Sequence, residues 1–442
     1  DKIKKIKFGE MQEPFYIAHR GGMNVFPENT IEAYKGCLDL GFTMIEQDVH
    51  KLLDGSLAVI HDYTMERSTD ATGCVRDFTT MRFKNSKVDT LPGWTAKSTT
   101  FKDVLNTFGN NAIYVPEIKV PDVAEDVVDA IIFAGLEEYC LIQSFRLSDL
   151  SYAVSKGLPA LLLTNDESPI TIKNNGIDYV GVSTQVTEQY ILDCINAGLK
   201  VIVYSVNRRY LHDYFLDLGV SGFFTDDPLW ITRKSPILNK DTFREQMFTH
   251  GQLGLSRHDL RPNVGNSGDR GEFISPNKFG WTNYTTGGID DKNDFCLMGW
   301  TGELPENFTL NYNLTLKNSS GTPTTWGAVT FCTTIDIYRD INDVDNPDTP
   351  SYGYNLLLRE NGNLQLYKRT ASGAVVLGSV QTTALTNNST ARIKVQVQGD
   401  NITCTRVDTN QSFTVEDDEF RKGYLHVGRR ASAVLFSDMS IT

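Results

Sequence analysis

Met44-Ile45-Glu46-Gln47-Asp48-Val49 carries two carboxylates at i and i+2 inside a short apolar run. Successive side chains of a strand point to opposite faces, so Glu46 and Asp48 share one face. Glu117-Ile118-Lys119 repeats the spacing at the end of a second run, Ile113–Ile118. Polar groups close two more: His19-Arg20-Gly21-Gly22 follows Tyr16-Ile17-Ala18, and His61-Asp62 follows Leu57–Ile60. Reactive side chains at the carboxyl end of one strand after another are the pattern of a parallel barrel, which builds its site from those ends.

Outward from these motifs, residues 1–230 alternate strand-like and helix-like stretches, which predicts a (β/α)8 barrel. The runs are Phe15–His19, Met44–Val49, Leu57–His61, Ile113–Ile118, Cys140–Ser144, Ala160–Thr164, Tyr179–Ser183, Lys200–Val206 and Gly222–Thr225. Nine runs compete for eight places, so at least one lies outside the barrel. Helices are expected at Asn29–Leu40 after Pro27, at Val123–Ala134, and at Glu188–Ala197 before Gly198. The polar segment Asp62–Thr100 is too long for an ordinary connection and reads as an excursion over one face.

From about Asn263 the texture shifts to Asn, Thr, Ser and Gly. Phe308, Leu310, Tyr312, Leu314 and Leu316 alternate with polar residues, as a half-buried strand requires. Similar runs at Ala328–Thr333, Tyr354–Arg359, Asn363–Tyr367, Arg392–Gln398, Thr403–Val407, Tyr424–Val427 and Val434–Ser437 predict an all-β, jelly-roll-like sandwich over 263–442. Residues 231–262 read as a connector with one helix at Asp241–Thr249.

A chain of 442 residues exceeds one ordinary domain. Forty-two basic residues against 55 acidic ones give a net charge of -13, which removes the counterion release that drives nucleic-acid binding. No apolar run approaches the ~18–20 residues of a membrane span. The seven cysteines form no C-x-x-C pair, so neither a zinc site nor a dense disulfide framework is indicated. The start at Asp1, with no Met and no leader pattern, fits a mature secreted protein, a processed virion protein or a trimmed chain equally well and so does not give the address; the expected location is secreted, extracellular or virion-associated.

Glu46, Asp48 and Glu117 would crowd like charges together at one barrel mouth, at a cost that a shared cation relieves. Each motif alone is commonplace, and their joint occurrence is what carries weight. At these residues the chain resembles the glycerophosphodiester phosphodiesterase family. The matching pieces are His19-Arg20-Gly21, Pro27-Glu28-Asn29-Thr30, Glu46-Gln47-Asp48-Val49, Asp54-Gly55, His61-Asp62 and Glu117-Ile118-Lys119. Ser144-Phe145, Val206-Asn207, Gly219-Val220, Thr225-Asp226 and Pro228 follow in order, so the resemblance spans about residues 15–228. Gln47 and Tyr204 depart from it, standing where an apolar residue and a Trp are usual.

The resemblance implies hydrolysis of glycerophosphodiesters to glycerol phosphate and an alcohol. It implies one Ca²⁺ or Mg²⁺ on Glu46, Asp48 and Glu117, since hard oxygen ligands suit those ions. It makes His19 and His61 the base and acid in that order, with Arg20 and Lys119 on the phosphoryl oxygens. Attack by the glycerol 2-hydroxyl would leave a cyclic phosphate that water opens. Asn29 is expected to cap the helix after it, and Asp62 to orient a neighbour.

The sandwich is read as a domain for a surface or glycan, which makes glycerol-phosphate polymers such as teichoic acid an attractive substrate. Trp281, Trp300 and Trp326 are read as core rather than as a sugar platform, and the acidic string Asp336, Asp340, Asp343, Asp345 and Asp348 as a solvated loop. The competing readings are a phospholipase-like barrel and a non-catalytic surface or tail-binding protein.

Overall fold

Eight short strands run parallel in the first half: β1 (Phe15–Ala18), β2 (Met44–Lys51), β3 (Ile113–Ile118), β4 (Ile142–Ser144), β5 (Ala160–Leu163), β6 (Tyr179–Ser183), β7 (Lys200–Tyr204) and β8 (Gly222–Thr225). Each pairs with its neighbour in sequence, and β8 returns to β1, so the sheet closes. These statements rest on a computed structural model that describes residues 5–90, 94–233, 272–275, 278–281, 293–298, 304–317, 324–337, 351–386, 388–430 and 432–442. The chain divides into two units, Asp1–Thr232 and Arg233–Thr442.

The barrel interior explains where the reactive groups sit. Phe15 and Ile17, Met44, Ile113 and Val115, Leu141, Leu161 and Leu163, Ile202 and Phe224 pack into one buried cluster, with Phe8 against it. Continuing each strand by two residues on the same face leads from Ile17 to His19, from Met44 to Glu46 and Asp48, and from Val115 to Glu117 and Lys119. The same step leads from Leu141 to Gln143 and from Phe224 to Asp226. One alternation therefore fills the bottom of the barrel with hydrocarbon and its carboxyl end with charge. The closing seam is tight: a Cβ on Gly222 would meet the Cβ of Phe15 at 2.8 Å and its carbonyl oxygen at 3.0 Å.

The ninth candidate strand is the one outside the barrel. Leu57–Val59 pairs antiparallel with the far end of β2, Val49 opposite Val59 and Lys51 opposite Leu57, and Thr99–Thr100 pairs with it in turn. The excursion after it has a core of its own, in which Leu52, Ala58, Ile60, Met65, Val75, Phe78 and Phe83 pack together. The first crossover helix, α1, spans Ile31–Asp39 and is capped by Thr30, whose hydroxyl accepts from the Ala33 amide at 3.1 Å. Asn29 is thus not the cap expected from the sequence.

The second unit consists of a seven-stranded and a six-stranded antiparallel sheet. Phe308, Leu310, Tyr312, Leu314 and Leu316 face a core with Val329, Phe331, Tyr354, Leu356, Val395 and Val427, so the alternating runs bury the face they predict. Strands at Gly373–Gln381 and Gln411–Glu416, absent from the sequence reading, extend the two sheets. Trp281 and Trp326 are buried. The connector helix at 241–249, Trp300 and four of the five acidic-string residues lie outside the described residues. No helix among the described residues is long and apolar enough to cross a membrane.

Candidate active site

Asp48 and Glu117 are register partners on β2 and β3, and Glu46 lies one step down the same face of β2. One carboxylate oxygen from each of the three lies within 4.8 Å of the others, and all three residues are buried. Neighbours hold them there. The Arg20 amide donates to Glu46 Oε2 at 2.7 Å and Gln143 to Oε1 at 3.3 Å. Asn29 Nδ2 donates to Asp48 Oδ2 at 2.9 Å while its own oxygen accepts from Tyr34 at 2.9 Å. Lys119 Nζ reaches Glu117 at 3.0 Å and lies 3.6 Å from Asp48 Oδ1.

The turn that aims the Arg20 amide is unusual, because Arg20 itself adopts φ +52°. Gly21 follows at φ +80°, where a Cβ would meet Ala33 at 2.8 Å. The close approach of α1 thus demands glycine there.

Both histidines carry a carboxylate on Nδ1. His19 donates to Asp226 at 2.6 Å, and Asp226 is itself held by Asn207 through its carboxylate at 2.7 Å and its backbone amide at 2.8 Å. His61 donates to Asp62 at 2.6 Å, and His50 donates to the His61 carbonyl at 3.1 Å. A ring anchored at Nδ1 presents Nε2 to whatever lies opposite. His19, Arg20, Glu46, His61, Glu117, Lys119 and Gln143 line a cavity of about 190 Å³ together with Phe145, Leu163, Tyr204 and Phe224. A larger groove of about 1030 Å³ runs outside the barrel past Phe133, and none of its lining residues is a histidine.

The charges divide the groups sharply. Burial opposes charging of His19, yet the Asp226 carboxylate outweighs it and raises the imidazole to about 9. Burial holds His61 below its ordinary value; Asp48 pulls against that shift, and Arg20 and Lys119 reinforce it. Burial and then the Asp48 charge push Glu46 up, and the same two causes raise Glu117. Asp48 is held far down, because the cations Arg20 and Lys119 outweigh its burial.

Of the seven residues singled out as site residues, His19, Arg20, Glu46, His61, Glu117 and Lys119 line this cavity, and Asp48 does not line it but lies buried in the carboxylate cluster with Glu46 and Glu117. Asn207 and Asp226 stood in the sequence only as landmarks of the resemblance, with no role given to them, and Gln143 and the carboxylate contact of Asn29 were not anticipated. Asp226 was within reach of the parity rule, two residues after Phe224. Gln47 faces outward as expected but is fully buried, its amide donating to the Ile45 carbonyl at 2.8 Å.

A closed parallel barrel that gathers carboxylates, paired imidazoles and cations at the carboxyl ends of its strands defines the class: a barrel enzyme with a polar site at that rim. The model of the glycerophosphoryl diester phosphodiesterase family matches residues 19–229. The glycerophosphodiester phosphodiesterase of Caldanaerobacter subterraneus subsp. tengcongensis is 30% identical over 230 residues, covering 48% of this chain and 93% of that protein. The one from Bacillus subtilis is 27% identical, covering 48% and 83%. The chain belongs to the glycerophosphodiester phosphodiesterase family. Among solved structures, an Oleispira antarctica phosphodiesterase in complex with sn-glycerol-3-phosphate is 19% identical and covers 50% of this chain and 96% of that one, with a TM-score of 0.45. The second unit lies outside the family match.

A divalent ion, which the family implies, finds a fitting set of donors in Glu46, Asp48 and Glu117. Beyond their spacing, Asp48 Oδ1 is buried without a hydrogen-bond partner although the cations around it keep it ionised. A buried, charged and unsatisfied oxygen is costly unless a cation takes it up.

Proposed function

We propose that the barrel hydrolyses glycerophosphodiesters to glycerol phosphate and an alcohol with a divalent cation held by Glu46, Asp48 and Glu117. The observation that carries this reading is the convergence of two carboxylate-anchored histidines and that carboxylate cluster on one cavity. When bound, the ion supplies Lewis-acid stabilisation of phosphoryl charge and lowers the pKa of a coordinated hydroxyl. Arg20 and Lys119 add fixed positive charge beside it, where charge develops on the phosphoryl oxygens.

His61, held neutral, takes the proton from the attacking hydroxyl. His19, held cationic by Asp226, gives a proton to the departing alcohol. This order is the reverse of the one expected from the sequence, and its support is the unequal charge environment of the two rings. If the glycerol 2-hydroxyl attacks, a cyclic phosphate forms, and water opens it with the two roles exchanged. Phe145, Leu163, Tyr204 and Phe224 offer the carbon skeleton of the substrate an apolar wall.

The second unit is proposed to hold a glycan or surface polymer, which would make a glycerol-phosphate polymer such as teichoic acid a substrate. Support for this finer reading is architectural alone. The deciding experiment incubates the protein with glycerophosphocholine and with poly(glycerol phosphate), with Ca²⁺, with Mg²⁺ and with chelator, and reads the products by phosphorus NMR. Glycerol phosphate from the small diester only with metal present is the expected result. No turnover under any condition would reject the reading.

A further inference from the structure

Arg67 lies in the excursion that leaves the barrel after His61, and nothing in its sequence surroundings marks it. Its guanidinium nevertheless uses both of its edges. Nε and Nη2 donate to Asp62 at 2.6 and 3.1 Å, and Nη1 and Nη2 donate to Glu28 at 2.9 and 2.8 Å. Asp62 is the carboxylate on His61, and Glu28 accepts from Arg20 at 3.3 Å. A continuous chain of charged hydrogen bonds thus runs from His61 through Asp62, Arg67 and Glu28 to Arg20.

We propose that Arg67 is a positioning residue of the active site, which locks the ring that transfers the proton to the cation that binds the phosphate. His61 and Arg20 come from distant segments, the end of the Leu57–Val59 strand and the turn after β1, and Arg67 ties their carboxylate supports together. A planar, five-donor fork satisfies two carboxylates at once, whereas a single ammonium nitrogen cannot hold both bidentately. Glu28 is 3% exposed, so its carboxylate is committed to these partners. Arg67 is 42% exposed, so its value lies in geometry rather than in core packing.

This inference rests on the proposed diester hydrolysis, and the test separates the two. Arg67→Met and Arg67→Lys are assayed on glycerophosphocholine beside the wild type, Asp62→Asn, and the Arg67→Met/Asp62→Asn double variant. Misplacement by about 1 Å costs ~10² in rate. The expected result is a fall in kcat of roughly 10–100-fold in Arg67→Met, with KM within about 3-fold. Arg67→Lys should give no rescue, and the double variant should be no worse than the worse single one, because both act through one ring. Wild-type kcat in Arg67→Lys, or losses that add fully with those of Asp62→Asn, would overturn the role.

A second readout is independent of turnover: ¹⁵N-histidine NMR should show the His61 Nδ1 signals displaced or broadened in Arg67→Met. Should Arg67→Met not fold, Arg67→Gln replaces it in both arms. Failure of the wild type to turn over substrate rejects the functional reading, and the NMR comparison still decides Arg67: unchanged His61 signals would overturn it.

Discussion

His19 and His61 carry the same ring in opposite surroundings. His19 keeps its proton to about 9 against Asp226, and His61 is held below the ordinary 6.5. Turnover that needs the first charged and the second neutral falls as pH drops below 6.5 and again as it rises toward 9, giving a bell-shaped kcat/KM. Asp226→Asn removes the charge that props up His19, so the alkaline limb should move down while the acidic limb stays. If the acidic limb moves instead, the division of roles is reversed. His19→Ala and His61→Ala should each cost ~10²–10⁴ in rate and leave the circular dichroism spectrum unchanged; near-normal rates in either would reject the paired role. At this scale, residues two apart on one strand face were legible. What escaped were contacts made by loops: Asn29 turns with φ +56° onto Asp48 instead of capping α1, and Arg67 gives no local pattern at all.

Strand β2 does two jobs in eight residues. Its first part lies between β1 and β3, and its last three residues pair with Leu57–Val59, which carries His61 back over the mouth. An apolar run of strand length cannot reveal whether its partner is parallel or antiparallel, which is why nine runs competed for eight places. The sandwich strand Gly373–Gln381 escaped for another reason: Val375 and Val376 are half exposed, so the run lacks alternation. The carboxylates of β2 and β3 also set a stability profile. Folded Glu46 keeps its proton to about 8, whereas the unfolded chain releases it near 4.5. The native state therefore binds more protons in that window, and without an ion stability should fall as pH rises from about 5 to 8. On the proposed assignment a divalent ion takes the place of that proton, so the gain in Tm on adding calcium or magnesium should grow over the same range. Glu46→Gln and Glu117→Gln should abolish that gain. A metal-induced shift in Tm independent of pH, or retained in both variants, would contradict the assignment.

The whole molecule divides chemistry from the remainder of the chain: every group of the site lies in the unit Asp1–Thr232. A truncated chain ending at Thr232 should fold and cleave glycerophosphocholine within about 3-fold of the full chain's kcat/KM. On a glycerol-phosphate polymer it should lose efficiency, since a second contact raises local substrate concentration without altering the site. Equal losses on both substrates would mean that the second unit supports the barrel, and equal retention that its partner is something else. The tight seam between β1 and β8 has a further consequence, in time. His19 and Asp226 stand 207 positions apart and meet only across that seam. At a synthesis rate of about 5–20 residues per second, His19 is made roughly 10–40 s before its carboxylate exists. Over about the last half of that interval, once Glu117 has been made, the nascent chain holds Glu46, Asp48, His61 and Glu117, yet the ring opposite them has no anchor. Turnover should therefore switch on abruptly when the last strand docks, which makes catalysis itself a clock for barrel closure on the ribosome.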